Sequence, residues 1–152
     1  AKTRPEALSE RTGKPDTRGA YGLLAREVIG LLKHLQHAPG RTVVFVGILE
    51  KVTDDMNRVT WQPQMDGGKV ARELPGIVDQ VLTMSLFTAD EPGANGSPAW
   101  RHDPDKGSTR RLVCQSGNPY GLPAKDRSGR LDLTEPPDLG ALLAKINQTR
   151  KG

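Results

Sequence analysis

Two basic residues, Lys125 and Arg127, are spaced so that they could bind one phosphate together. They stand two residues apart, and Gly129 follows closely enough to turn the chain behind them. An arginine offers a planar fork of donors and a lysine offers a point charge, so the pair can contact a phosphate from two sides. A solvated turn is the alternative interpretation, and the spacing alone favours it.

Other chemistries find little support in the sequence. The phosphate-binding pattern Gly-x-x-x-x-Gly-Lys-Ser/Thr does not occur. His34 and His37 fall on one side of a predicted helix, but histidines on a polar helix face are mostly solvated, so no metal site is predicted. Cys114 has apolar neighbours in a predicted strand, which favours packing over use as a nucleophile.

The composition excludes two classes of protein. The chain has 152 residues with 17 Gly, 12 Pro and a single Cys, and its formal net charge is +4. No stretch is apolar for long enough to span a membrane, and one cysteine cannot build a disulfide scaffold. We expect a reducing, cytoplasmic setting. Residues 100–130 contain seven cations and three anions, so this segment carries the whole surplus of positive charge.

The elements that must position these residues begin with a helix over residues 19–38, where apolar residues recur every three or four positions. Its apolar face is wide, which is typical of a helix that packs on a sheet. Residues 42–49 (TVVFVGIL) form a continuous apolar run rich in β-branched residues. Strands buried on both faces have this composition in parallel sheets, so a buried parallel strand is predicted there.

A polar loop over residues 50–66 follows this strand and ends at Gly67 and Gly68, which permit a sharp turn. Ligands of open α/β sheets bind at the edge where such loops lie. In the later part of the chain, a short helix is predicted over residues 69–78 and a final helix over residues 138–147, with Asp138 at its start. Between them, strands over residues 80–88 and 110–116 are predicted to pair as an antiparallel hairpin around a long loop. The predicted fold class is therefore α/β, with a mostly parallel sheet and a C-terminal antiparallel hairpin.

The order of these pieces resembles the C-terminal half of a RecA-like P-loop ATPase core. It is most similar to phage-encoded RecA-like ATP-binding proteins of the single-strand-annealing recombinase type, over roughly residues 17–146. The resemblance implies a partial three-layer RecA-like fold. The motifs that carry it are the Gly-Gly-Lys that ends the polar loop, Glu73-Leu74-Pro75, Asp79-x-Val81 and the Lys-x-Arg-x-Gly of residues 125–129.

The chain is expected to be organised in three parts, the middle one defined by the resemblance. Residues 1–18 are expected to be a flexible arm or loop, residues 19–147 the C-terminal half of the ATPase domain, and residues 148–152 a tail.

The resemblance implies DNA contacts in the polar loop. In RecA-like ATPases the loop after the central strand contacts DNA, and here it spans about residues 51–68. Its candidate DNA-binding residues are Lys51, Arg58, Trp61 and Lys69, with Trp61 stacking on a base and the cations meeting phosphates. Packing of Trp61 against the domain or a neighbouring subunit is the alternative.

The resemblance assigns a catalytic role to the basic pair. In related hexameric helicases and RadA-type proteins, a Lys-x-Arg-x-Gly motif reaches the γ-phosphate bound by a neighbouring subunit, and Lys125, Arg127 and Gly129 match it. Such a finger stabilises charge on the transferring phosphoryl group. The resemblance implies ATP and Mg as cofactors of the full-length protein. It implies single-stranded DNA and neighbouring subunits of a homo-oligomer as partners, no membrane, and a bacterial host cell if the protein is phage-encoded.

The sequence departs from the family in lacking the motifs of the N-terminal half of the family's domain. The phosphate loop (Walker A) and the acidic metal-binding strand (Walker B) of the family are absent from these residues. We expect a piece of an oligomeric DNA-dependent ATPase that acts in DNA recombination, annealing or replication and is inactive by itself. The alternative is a non-enzymatic nucleic-acid-binding or structural half-domain with no nucleotide site of its own.

Overall fold

The chain divides into two compact units, Ala1–Val78 and Asp79–Gly152. The computed structural model describes residues 13–14, 16–65, 68–92 and 99–148, without the side chains of Thr17, Arg18 and Lys69. Most of the predicted arm over residues 1–18 and all but one residue of the predicted tail over residues 148–152 therefore lie outside the described residues.

The first unit is built on two helices. Helix α1 spans Thr17–Gln36 and helix α2 spans Gly68–Ile77, which confirms both predicted helices to within two residues at each end. The apolar spacing of α1 buries one stripe, and α2 contributes its own apolar face, so that the two helices share one core. Its buried members are Ala25, Ile29, Leu32, Val70 and Ile77.

The first unit also contains an antiparallel hairpin where a loop was predicted. Strand β1 spans Leu49–Thr53 and strand β2 spans Val59–Pro63. The predicted buried strand over residues 42–49 is not formed: residues 41–48 have no regular structure and Val46 is 94% exposed. A strand needs a neighbour to take up its N–H and C=O groups, and the structure shows one only from Leu49 onward.

The second unit contains the remaining strands and a helix. The order of elements in this unit is β3 (Gln80–Val81), β4 (Thr83–Asp90), β5 (Ala99–His102), β6 (Thr109–Val113), β7 (Lys125–Asp126), β8 (Thr134–Glu135) and α3 (Leu139–Ile146). A four-stranded antiparallel sheet has the order β5-β4-β6-β8, and β3 pairs with β7 in a separate two-stranded ladder.

Side chains pack on both faces of this sheet. On one face Phe87 is fully buried and its ring contacts those of His102 and Tyr120. On the other face α3 packs Leu142 against Leu112 and Cys114. The carboxylate of Asp138 accepts a hydrogen bond from the Ala141 amide at 3.0 Å, which confirms the predicted start of this helix, and Arg130 donates to the Ile146 carbonyl at its other end.

The strand directions correct the predicted fold class. The chain combines helices and sheets as an α/β protein does, and β4 and β6 form the predicted antiparallel hairpin. The mostly parallel sheet is not seen: every strand pair within the described residues is antiparallel. The physical reason is the missing strand over residues 42–49, because the structure describes no strand before α1 with which a parallel pair could form across a helix.

Candidate nucleic-acid interface

The hairpin β1–β2 brings two of the predicted DNA-binding residues together. Its register places Lys51 directly opposite Trp61, and Thr53 opposite Val59. Residues that face each other across an antiparallel pair project to the same side, so these four side chains share one face. All four are exposed, with 38% of Trp61 and 49% of Val59 open to solvent.

The opposite face of the hairpin carries its internal polar contacts. The Gln62 side chain donates a hydrogen bond to the Glu50 carboxylate at 2.9 Å, and the Thr60 hydroxyl donates to the Val52 carbonyl at 3.4 Å. Glu50 therefore lies on the side away from Lys51 and is already engaged. The face with Lys51 and Trp61 keeps a positive charge beside an aromatic ring.

The turn that sets this register is organised by Asp54. Its carboxylate accepts hydrogen bonds from the amides of Met56 and Arg58 at 2.9 and 2.8 Å, and from the Arg58 guanidinium at 2.8 Å. These bonds, that of the Arg58 amide above all, hold the pKa of Asp54 below its usual value. Asn57 adopts φ 57°, a left-handed conformation that asparagine tolerates well. Sequence reasoning missed this clamp, although an Asp that begins a tight turn is a common signal.

The remaining predicted DNA contacts are placed differently. Arg58 lies at the tip of the hairpin, but its guanidinium is paired with Asp54, so its charge is partly satisfied within the turn. Gly68 is the first residue of α2, and Lys69 is the second, with its side chain outside the description. Gly67 lies outside the described residues.

The basic pair Lys125 and Arg127 lies in the second unit. Lys125 pairs with Val81 in the short ladder β3–β7. Arg127 follows that ladder, and its guanidinium contacts the Asp79 carboxylate at 2.6 Å while its amide donates to the Asp79 carbonyl at 3.2 Å. Both side chains of this ion pair are more than half exposed, so the arginine is held in place and remains accessible.

Asp126, between the two cations, fixes the loop that follows them. Its carboxylate accepts hydrogen bonds from the amides of Ser128, Arg130 and Leu131 and from the Ser128 hydroxyl. Burial by itself would raise the pKa of Asp126. These hydrogen bonds lower it by more, so the pKa lies below its usual value. Gly129, predicted as a turn residue, adopts φ 65°, a conformation that glycine takes at no steric cost.

Metal-ligand clusters and membrane-spanning helices are two further features that the described residues could carry. Within residues 13–14, 16–65, 68–92 and 99–148, no three His, Cys, Asp or Glu side chains come close enough to hold a metal ion. None of the helices in that part of the chain is both long and apolar enough to cross a membrane.

Comparison with known families defines the class of this protein. The family model described as an AAA domain matches residues 1–128, and the chain belongs to that family. Members of this class are P-loop, nucleotide-dependent ATPase domains, so ATP binding is implied for the full protein. No curated protein and no solved structure matches the chain.

Proposed function

We propose that this domain is part of an oligomeric, DNA-dependent ATPase with a RecA-like core that acts in DNA recombination, annealing or replication. The hairpin β1–β2 contacts single-stranded DNA, and Lys125 and Arg127 reach the γ-phosphate of ATP bound by a neighbouring subunit. Membership of the AAA domain family supports the ATPase part. The phage origin suggested by the resemblance and a cytoplasmic location belong to the same proposal.

The observation that carries the DNA contact is the pairing of Lys51 with Trp61. An exposed indole offers a surface on which any base can stack, and such stacking contributes about 1–3 kcal/mol per base. The lysine beside it can meet the phosphate of the same nucleotide. Val59, exposed on the same face, extends the apolar surface. Arg58 is 72% exposed, but the carboxylates of Asp54 and Asp55 in the same turn offset its charge, so the DNA contact rests on Lys51 and Trp61.

The experiment compares the binding of a fluorescein-labelled oligo(dT) by wild type, Lys51→Ala and Trp61→Ala, followed by anisotropy. We expect the dissociation constant to rise about tenfold for Trp61→Ala, as the loss of one stacked base requires. Trp61→Phe keeps an aromatic face and should restore part of the affinity. Lys51→Ala should weaken binding and also make it less sensitive to salt, since the variant neutralises one phosphate fewer.

Lys33→Ala is the matched control for Lys51→Ala. Lys33 is an exposed lysine of α1 in the same unit, and its removal changes the net charge equally. If Lys33→Ala and Lys51→Ala weaken binding by the same amount, the effect is one of net charge and the hairpin is not the DNA contact. Unchanged binding by Trp61→Ala would contradict base stacking on this residue.

No nucleotide site is assigned within these 152 residues. The sequence lacks the Gly-x-x-x-x-Gly-Lys-Ser/Thr pattern, and the described carboxylates do not form a cluster suited to Mg. The ATP contact proposed here is therefore confined to Lys125 and Arg127, and no step is assigned to a metal.

The lack of a phosphate-binding pattern favours the second candidate, a nucleic-acid-binding half-domain without catalysis. Equilibrium binding of a labelled ATP analogue to the full-length protein discriminates the two, because only the ATPase candidate has a nucleotide site of its own. If the full-length protein binds oligo(dT) but does not hydrolyse ATP, the second candidate is supported and the ATPase candidate is contradicted.

A further inference from the structure

The four-stranded sheet of the second unit has one face that is only partly covered. Register places Arg101 of β5 opposite Thr88 of β4, and Arg110 of β6 opposite Leu86 of β4. Leu86 and Thr88 are two residues apart on one strand and so project to the same side. Both arginines therefore lie on one face, on either side of β4. We call Met84, Leu86, Thr88, Arg101 and Arg110 the open sheet face.

Covering elements leave this region open. The opposite face is closed by Tyr120, whose ring packs on Phe87, and by Pro123, whose carbonyl accepts a hydrogen bond from Thr83. On the open side, among the residues that the structure describes, α3 covers the end of the sheet near Leu112. Beyond that point Met84 is 53% exposed, and both arginines are exposed.

The position of Arg101 is fixed by the turn between β5 and β6. Asp103 donates its amide to the Leu86 carbonyl at 3.0 Å, and Gly107 donates to the Asp103 carbonyl at 2.9 Å. A Cβ on Gly107 would lie 2.6 Å from the Phe87 nitrogen, so only glycine allows the turn to approach β4 this closely. The strand that carries Arg101 is therefore held firmly against β4.

The charges of this face are not neutralised locally. Other arginines of the unit are engaged: Arg111 lies over the Trp100 ring and donates to Thr134, and Arg127 pairs with Asp79. In the part of the chain that the structure describes, the guanidinium groups of Arg101 and Arg110 make no hydrogen bond or ion pair.

Two carboxylates share the side of the sheet that carries these arginines. Glu135 is buried against Lys145, which neutralises it. Asp90 lies opposite Ala99 towards the end of β4, and its carboxylate accepts the Glu91 amide. The centre of the open sheet face is therefore positive.

The geometry points to a second contact for single-stranded DNA on the open sheet face. The two arginines are offset by two residues along the strands and separated by two strand spacings, which puts their Cα atoms roughly 12 Å apart. Guanidinium forks bind phosphate oxygens in pairs, and a flexible single strand can present two phosphates to such a pair. Met84 and Leu86 beside them offer an apolar surface for a base.

The choice of single-stranded DNA as the polyanion rests on the proposed function, but the site does not depend on the hairpin or on ATP. The test measures oligo(dT) binding of the whole chain by anisotropy for wild type, Arg101→Ala/Arg110→Ala, and Lys51→Ala/Trp61→Ala. We expect the arginine double variant to raise the dissociation constant about tenfold. The slope of log K against log salt should become shallower by about 1.4, or about 0.7 for each phosphate that is no longer neutralised.

Two controls accompany the double variant. Arg26→Ala/Lys33→Ala removes two exposed cations from α1 and should bind as wild type does. Arg101→Lys/Arg110→Lys keeps the charge without the fork and should fall between wild type and the alanine variant. Thermal melting of the alanine variant should match wild type, since neither guanidinium has a structural partner among the described residues.

Each outcome distinguishes this inference from the proposed function. If only the hairpin variant loses affinity, the open sheet face is not a DNA site and the proposed function stands. If only the arginine variant loses affinity, the hairpin assignment is wrong and this inference stands. If wild type does not bind, both are overturned. Displacement of oligo(dT) by poly-glutamate at equal charge concentration would overturn the choice of a polynucleotide as the occupant.

Discussion

Asp126 organises the loop that follows the two cations Lys125 and Arg127. It lies between Lys125 and Arg127 in sequence, yet its oxygens are taken up by three amides and a hydroxyl of the loop that follows. The Ser128 and Leu131 amides would lose their acceptor if the carboxylate were removed, and the Arg130 amide would keep only its 3.2 Å bond to the Ser128 hydroxyl. The loop that displays Arg127 therefore depends on the charge state of Asp126.

We predict that Asp126→Asn lowers the free energy of unfolding by about 1–3 kcal/mol at pH 7, the usual cost of leaving buried donors without their charged acceptor. The pKa of Asp126 is lowered in the folded protein, so the ionised carboxylate stabilises the fold above its unfolded pKa of about 3.9. That contribution is lost as the pH falls below 3.9 through the folded value. Urea unfolding at pH 7 and pH 3 measures the difference.

Asp105→Asn is the control for this prediction, because Asp105 is exposed in the turn between β5 and β6. It should leave the unfolding free energy unchanged at both pH values. An equal loss for Asp126→Asn at pH 3 and pH 7 would mean that the carboxylate charge does not stabilise the loop.

At the scale of elements, residues 41–48 show why an apolar run is not always a strand. Phe45 packs against the core of the first unit, whereas its neighbours Val44 and Val46 project outward and are 53% and 94% exposed. The run is rich in β-branched residues, but the structure describes no strand beside residues 41–48. The Ile48 carbonyl accepts the Gln64 amide at 2.7 Å, and among the described residues no strand ladder takes up the backbone groups of residues 41–47.

We predict that lysine has very different effects on stability at two adjacent positions of this run. Val46→Lys should change the free energy of unfolding by less than about 0.5 kcal/mol, as an exposed substitution does. Phe45→Lys should cost at least about 3 kcal/mol, because it removes a packed ring and places a charge beside the core. Urea unfolding measures both. A large loss for Val46→Lys would show that the run is buried on both faces in solution, as a parallel strand would be.

Helices were easier to predict from this sequence than strands. Periods of three and four residues are local, so α1, α2 and α3 were found nearly at their observed bounds. Strand β5 was missed because it is four residues long and lies within a stretch rich in Gly, Pro, Asp and Ser. The hairpin β1–β2 was predicted as a loop because both of its faces carry polar residues, which hides the alternation of a half-buried strand.

The sequence allowed the candidate site residues to be identified one by one, but it did not show which of them lie next to each other in the fold. Lys51 and Trp61 were identified by type, but their direct opposition follows from the turn at Asp54, which sets the register. The ion pair of Arg127 with Asp79 joins residues 48 positions apart, a contact that no local pattern indicates.

At the scale of the whole molecule, the proposed role of Arg127 concerns a neighbouring subunit. Its guanidinium is exposed and held by Asp79 on its own chain, so it can face outward while the loop stays in place. A group that acts on another subunit's substrate should affect turnover and leave that chain's own nucleotide binding intact.

We predict that Arg127→Ala in the full-length protein lowers ATP turnover about a thousandfold or more, with little change in nucleotide affinity. Steady-state hydrolysis and equilibrium binding of a labelled nucleotide measure the two quantities. When wild-type subunits are mixed with increasing amounts of the variant, ATP turnover should fall in proportion to the fraction of wild-type subunits whose neighbour carries the variant. Arg26→Ala removes one exposed charge from α1 and serves as the control. Turnover retained by Arg127→Ala would make Arg127 an ordinary loop residue.

The burial of Cys114 has a practical consequence for studying this chain in solution. Its thiol is fully buried and donates to the Leu112 carbonyl, and burial together with the nearby carboxylates of Glu135 and Asp126 raises its pKa to about 12. Thiolates, not thiols, react with maleimides and iodoacetamides, so the native cysteine is silent towards such reagents near neutral pH. A cysteine placed at an exposed position such as Thr60 can therefore carry a dye or spin label without removal of the natural one. The second unit thus supplies its own protected background for distance measurements on the first.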